Sequence, residues 1–292
     1  MLPAAGRLLL GIAVCCSLAV LVAIPAPGSN KTAVQVRLVR FVDATRRANF
    51  QNGHSTPRVL TTYIRSPASQ RGSLPLVVFA HGFALTPKNY SSLLDTWTRA
   101  GYVVAAPIFP VEGANAPGGP SRADLVNEPG DLRYLISRLI AVNSPVRSLI
   151  DPRRIAVAGQ SDGAVAALSV AFDRRFRDPR IDAALVMSGA PLAGFAGAAP
   201  DSPPLLAIQG TADPFNPAGV TAAYYPLMRR PKFLLWLVGA SHLPPYTSTN
   251  RWKPVVARTT TAFLNHYLKH APLKRIVTAG TQAGVARMSV SP

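Results

Sequence analysis

Short, almost wholly apolar runs recur along the chain at residues 76–80 (LVVFA), 102–106 (YVVAA), 154–159 (RIAVAG), 183–187 (AALVM), 205–209 (LLAIQ) and 233–238 (FLLWLV). Runs of this kind, with no polar alternation, are the pattern of strands covered on both faces. Residues 89–100, 129–142, 164–172, 218–225 and 251–268 read as helices, the first of them stopping at Gly101. Strands alternating with helices predict an α/β fold, a mostly parallel central sheet flanked by helices on both faces. Residues 34–39 alternate and fit an earlier strand, 46–57 read as a polar connection, and 59–64 as a second strand. Beyond Lys274 no pattern is evident, so 273–292 are read as a tail and 29–272 as one catalytic domain.

In an open α/β sheet, ligands gather at the turns that follow strand ends. The strongest such turn is Gly159-Gln160-Ser161-Asp162-Gly163, which fits G-x-S-x-G and lies between a predicted strand and a predicted helix. Glycines on either side leave room for a sharp turn that exposes the serine hydroxyl. Such a hydroxyl is a weak nucleophile until a base takes its proton. Of the histidines, His54 lies in the early polar segment, His81 ends a strand, and His266 and His270 lie on or just past the last helix. Only His242 falls in the loop after the 233–238 run and before that helix. Asp213 follows the 205–209 run through a glycine turn, at the edge where Ser161 is expected. Asp182 and Asp201 stand at the opposite ends of their strands. The chain order Ser161, Asp213, His242 is that of the α/β-hydrolase triad.

Acyl transfer also needs donors for a developing oxyanion. The backbone N–H of Asp162 is one, and that of Phe83, in the loop after 76–80, is the other. A carboxylate at Asp162 would repel the oxyanion, so its side chain is expected to turn away toward a basic residue. Ala190 and Leu192, in the stretch 188–192, are read as substrate-binding. Their small walls predict that short soluble esters are cleaved faster than an aromatic polyester. Tyr246 and Trp252 are the aromatic residues expected across from them. No metal-ligand spacing, P-loop or dinucleotide glycine pattern occurs, so neither cofactor nor metal is expected.

The formal net charge of +18 raises the question of a nucleic-acid partner, but the arginines are scattered and form no run. A basic surface attracted to an anionic cell envelope is the reading adopted. Arg7, the apolar stretch 8–24 and the small residues Ala26 and Gly28 read as an export signal over 1–28, cleaved before Ser29 or kept as an anchor. The protein is therefore expected to be secreted or extracytoplasmic. Its only cysteines, Cys15 and Cys16, lie inside that leader, which excludes a cysteine nucleophile and disulfides from the mature chain.

The chain resembles the exported actinobacterial α/β-hydrolases related to polyester hydrolases and cutinase-like lipases, platelet-activating-factor acetylhydrolases and dienelactone-hydrolase-like esterases. The resemblance covers about residues 36–270 and rests on residues 76–83, 101–107, 144–151, 159–163, 210–213 and 239–242. It implies an α/β-hydrolase fold, the triad Ser161, Asp213 and His242, oxyanion amides at Phe83 and Asp162, and a small-molecule or lipid ester as substrate. Many relatives carry His and Met beside the serine, where this chain has Gln160 and Asp162. The tryptophan that walls the polyester-hydrolase cleft is absent from 188–192. An envelope acyltransferase and an inactive binding protein are the competing readings, and no oligomeric state follows from the sequence.

Overall fold

Successive residues of a strand point to opposite faces, so a wholly apolar run must be covered twice. In the computed structural model, which describes residues 32–69 and 71–291, that is how the runs are arranged. The chain forms β1 (Val34–Asn49), β2 (Ser55–Pro67), β3 (Leu74–Ala80), α1 (Ser91–Arg99), β4 (Val103–Ile108), α2 (Glu128–Ile140), β5 (Ile150–Gln160) and α3 (Asp162–Phe172). It continues through β6 (Ala183–Met187), β7 (Leu205–Gly210), α4 (Ala218–Tyr224), β8 (Lys232–Leu237), α5 (Pro244–Thr247), α6 (Lys253–Lys269), α7 (Lys274–Gly280) and β9 (Ala286–Ser291). The sheet order is β1-β2-β4-β3-β5-β6-β7-β8-β9. Strands β4 to β8 run parallel, while β1, β2 and β9 join antiparallel at the two edges. Val78 and Val157 pack with Leu135 and Leu168 on one face, whereas Val77, Phe79 and Leu235 pack with Trp97 and Phe263 on the other. Each such side chain contributes about 1.5–3 kcal/mol by leaving water.

The order reverses at β3, which has β4 on one side and β5 on the other. Ala80 is paired with Gly159 there, so the loop leaving β3 and the turn leaving β5 emerge side by side. That juxtaposition positions the site.

Two expectations need correcting. The stretch 46–57 is not a plain connection: β1 runs to Asn49 and β2 begins at Ser55. A register shift between Asp43 and Arg47 carries the pair into a polar ribbon, exposed enough to lose the alternating signature. Residues 273–292 hold α7 and β9, not a tail, with β9 pairing antiparallel to β8. An edge strand with one residue buried among exposed and half-exposed ones offers little pattern to read. The expected leader over 1–28, with Cys15 and Cys16, lies outside the described residues.

One polar cluster is built into this scaffold. Arg58 on β2 is buried and forks between Asp124 and Asp131, with guanidinium-to-carboxylate contacts of 2.6–2.9 Å. Those bonds fix the 3-10 turn Arg122–Asn127 against the sheet.

Candidate active site

Ser161 stands between β5 and α3 with φ +58° and ψ −125°, a strained conformation for a residue with a side chain. Crowding enforces it. A Cβ at Gly159 would lie 2.0 Å from the Gly163 carbonyl oxygen, and one at Gly163 would lie 2.3 Å from that of Ala80. Only glycine fits at either position, and the close approach of β3, β5 and α3 leaves the serine at the floor of a cleft.

His242 follows β8 and reaches over this turn. Its Nε2 is 2.8 Å from Ser161 Oγ, and its Nδ1 is 2.7 Å from Asp213 Oδ2. An ionised carboxylate can only accept, so Nδ1 carries the proton and Nε2 is left to accept from the serine. Asp213 is fully enclosed, and its Oδ1 accepts from the backbone of Phe215 and Asn216, each at 2.9 Å. Gln209 and Asn216 hold each other beneath it, Asn216 Nδ2 donating to Gln209 Oε1 at 2.8 Å. The three residues singled out in the sequence are thus joined in one hydrogen-bonded series.

Around this series run contacts that the sequence did not announce. Gln160 is buried; its Oε1 accepts from Tyr90 at 2.6 Å and its Nε2 donates to the His242 carbonyl at 3.2 Å. The Tyr90 oxygen in turn accepts from the Gly82 N–H at 3.2 Å. One side chain therefore couples the loop after β3 to the histidine loop. His81 plays a structural part: its ring bridges the Gly82 carbonyl and the Phe109 N–H, and burial lowers its pKa to about 4. It stays neutral at working pH.

The N–H groups of Phe83 and Asp162 meet no acceptor among the described residues, and both residues border the cleft beside Ser161. As expected, the Asp162 carboxylate turns aside onto a basic residue, which is Arg122, at 2.6 Å. Below it lie Glu112 and Glu128, both buried, whose carboxyl oxygens meet no hydrogen-bond partner among the described residues. Burial without a donor favours the protonated form of both. Burial raises Glu112 to about 8, with the Asp162 charge adding to the rise and the neighbouring Glu128 lowering it, and burial lifts Glu128 well above the carboxylate range. The folded protein keeps a proton here that the unfolded chain releases near 4.5. That contribution to stability is fully present below 4.5 and is lost as pH rises through about 8. Melting curves from about pH 5 to 9 should fall more steeply for wild type than for Glu112→Gln, which does not titrate. Parallel curves would remove the retained proton from the account.

The cleft has two arms. The larger, about 320 Å³, is bounded by Phe83, Leu85, Leu243 and Pro244; the smaller, about 260 Å³, by Val165, Gly189, Ala190 and Asn216. Ala190 lines it as read, but Leu192 borders neither arm. Tyr246 and Trp252 do not face the cleft either. Tyr246 is buried with its hydroxyl 2.9 Å from Ser188 Oγ, and Trp252 Nε1 donates to the Val238 carbonyl at 2.9 Å. The aromatic walls are instead Phe83 and Phe215. Phe215 is 80% exposed, with its ring centroid 5.4 Å from that of His242. A ring so placed can meet whatever enters the cleft, yet in sequence it is one residue of an aperiodic turn.

The comparisons with known proteins bear on the fold and the family. Among solved structures, a ferulic acid esterase from Streptomyces cinnamoneus matches with a TM-score of 0.68 and 20% identity, over 85% of this chain and 94% of that one. The likeness establishes a shared α/β-hydrolase fold. No curated protein matches the chain. Residues 33–218 match the sequence pattern of chlorophyllase, a family that the motifs alone did not single out among the α/β-hydrolase esterases they resemble. With that match running through most of the sheet and the Ser161 turn, the chain belongs to the chlorophyllase family and is an α/β-hydrolase of the serine-esterase type.

Proposed function

We propose that the protein is a carboxylic-ester hydrolase working through an acyl-enzyme on Ser161. The observation that carries this reading is the series Ser161–His242–Asp213, with contacts of 2.8 and 2.7 Å, set beside two unengaged backbone N–H groups. His242 takes the Ser161 proton as the hydroxyl oxygen attacks the ester carbonyl. The N–H groups of Phe83 and Asp162 receive the negative charge that forms on the carbonyl oxygen. Collapse of that intermediate breaks the ester bond, and His242 hands its proton to the leaving alcohol. Water, deprotonated in turn by His242, then releases the acid. Asp213 holds the imidazole in the required tautomer throughout. On the strength of the leader alone, we place the enzyme outside the cytoplasm.

The walls support one class of ester. Phe83 and Phe215 offer two rings beside the reacting atoms, a surface suited to a flat apolar group. A ferulic acid ester, the substrate class named for the matched structure, has such a group. Methyl esters of an aromatic acid and of acetic acid, compared in wild type and Phe215→Ala, test this. The variant should lose about 2- to 10-fold in kcat/KM for the aromatic ester, the worth of one ring contact, and little for the acetate. Equal losses on both esters, or on neither, would contradict the ring's role.

A further inference from the structure

We infer that Arg122 is a positioning residue that clamps the two halves of the oxyanion pocket together and neutralises Asp162 within it. The inference rests on the ester-hydrolase reading above. The two N–H donors belong to different segments, Phe83 to the loop after β3 and Asp162 to the turn after β5. Arg122 touches both. Its Nε donates to Asp162 Oδ2 at 2.6 Å, and its guanidinium carbon lies 4.3 Å from the centroid of the Phe83 ring. A planar guanidinium can do both at once, with its edge on the carboxylate and its face on the ring.

The clamp is itself anchored. Arg122 opens the 3-10 turn whose Asp124 is gripped by the buried Arg58 at 2.6 and 2.9 Å. Just before it, the Ser121 N–H donates to the Val111 carbonyl at 3.0 Å. The neighbouring Glu112 carbonyl accepts from the N–H of Ala84, the residue after Phe83, also at 3.0 Å. One loop thus carries the arginine and steadies the backbone of the Phe83 segment.

The electrostatic need is specific to this chain. Asp162 places a carboxylate on the residue whose own N–H is to face a forming negative charge. In a cleft partly shielded from water, an uncompensated carboxylate at that distance opposes the transition state and not the neutral substrate. Among the described residues, Arg122 pairs with this carboxylate from the cleft side, and the protonated Glu112 and the neutral Tyr90 lie near it on the other. Arg122 supplies the positive charge among these groups. Its side chain is 60% exposed, and ion pairs so exposed add little to stability. The effect should therefore fall on turnover.

Three proteins test this on one soluble ester: Arg122→Gln, the double variant Arg122→Gln/Asp162→Asn, and Ser161→Ala run beside them. Arg122→Gln should lower kcat by about 10- to 100-fold, less than outright loss of an oxyanion donor, with KM changed by no more than about twofold. Removing the unpaired charge in the double variant should restore at least about tenfold of that loss. An alkyl boronic acid, whose adduct on the serine is a tetrahedral anion, should lose affinity in Arg122→Gln and regain it in the double variant. A kcat for Arg122→Gln within about twofold of wild type, or a double variant no better than the single, would overturn the inference. Substantial activity in Ser161→Ala would instead overturn the ester-hydrolase reading on which it rests.

Discussion

Ser161→Ala should lower kcat/KM for every accepted ester by about 10⁴- to 10⁶-fold while leaving the melting temperature essentially unchanged. The size follows from what is removed. Without Oγ no acyl-enzyme forms, and what remains is whatever the cleft and its amides do for direct attack by water. The fold is spared because the hydroxyl's only partner among the described residues is His242 Nε2, and the strained backbone is imposed by glycine packing rather than by the side chain. A variant retaining a tenth of wild-type activity would mean that another group makes the bond.

Asp213→Asn should cost about 10⁴-fold in kcat, again with the fold intact. The amide is the same shape, and its oxygen can keep the two bonds from Phe215 and Asn216 that now end on Oδ1. Its nitrogen would then face Nδ1 of His242 as a donor. The imidazole proton moves to Nε2 in consequence, where it points at the Ser161 hydroxyl and cannot accept from it. Because the error is one of proton placement, steady-state kinetics should show the loss in kcat with KM little changed, and crystals of the variant should superpose on wild type. Retention of more than about a hundredth of wild-type kcat would remove Asp213 from the orienting role.

How much of this was legible follows from what each feature depends on. The buried parallel strands could be read because a strand covered on both faces must be apolar at every position, as Leu76 to Ala80 and Leu205 to Ile208 are. Glycine at 101, with φ +86°, closes α1 as the pattern implied. The partly exposed hairpin past Asp43 and the edge strand β9 were missed because a solvated face has no compositional signature. At the site, Ser161, Asp213 and His242 were legible because each sits at the carboxyl end of a strand in a local motif. Arg122, Glu112, Glu128 and Tyr90 were not, since their meaning comes from partners remote in sequence: Arg122 meets Asp162, and Tyr90 meets Gln160. Leu192 was assigned to the cleft from its closeness in sequence to Ala190, but the chain has turned away by that point.

The acyl-enzyme is the step on which everything else depends, and it can be weighed. The protein is mixed with p-nitrophenyl acetate, quenched in acid before turnover is complete, digested, and the peptide bearing Ser161 analysed by mass spectrometry. Deacylation of so reactive an ester should limit the rate, so acetylated Ser161 should build up in step with the burst of nitrophenol and be absent from Ser161→Ala. Turnover with the Ser161 peptide unmodified, or with the acetyl group on a different residue, would contradict the account.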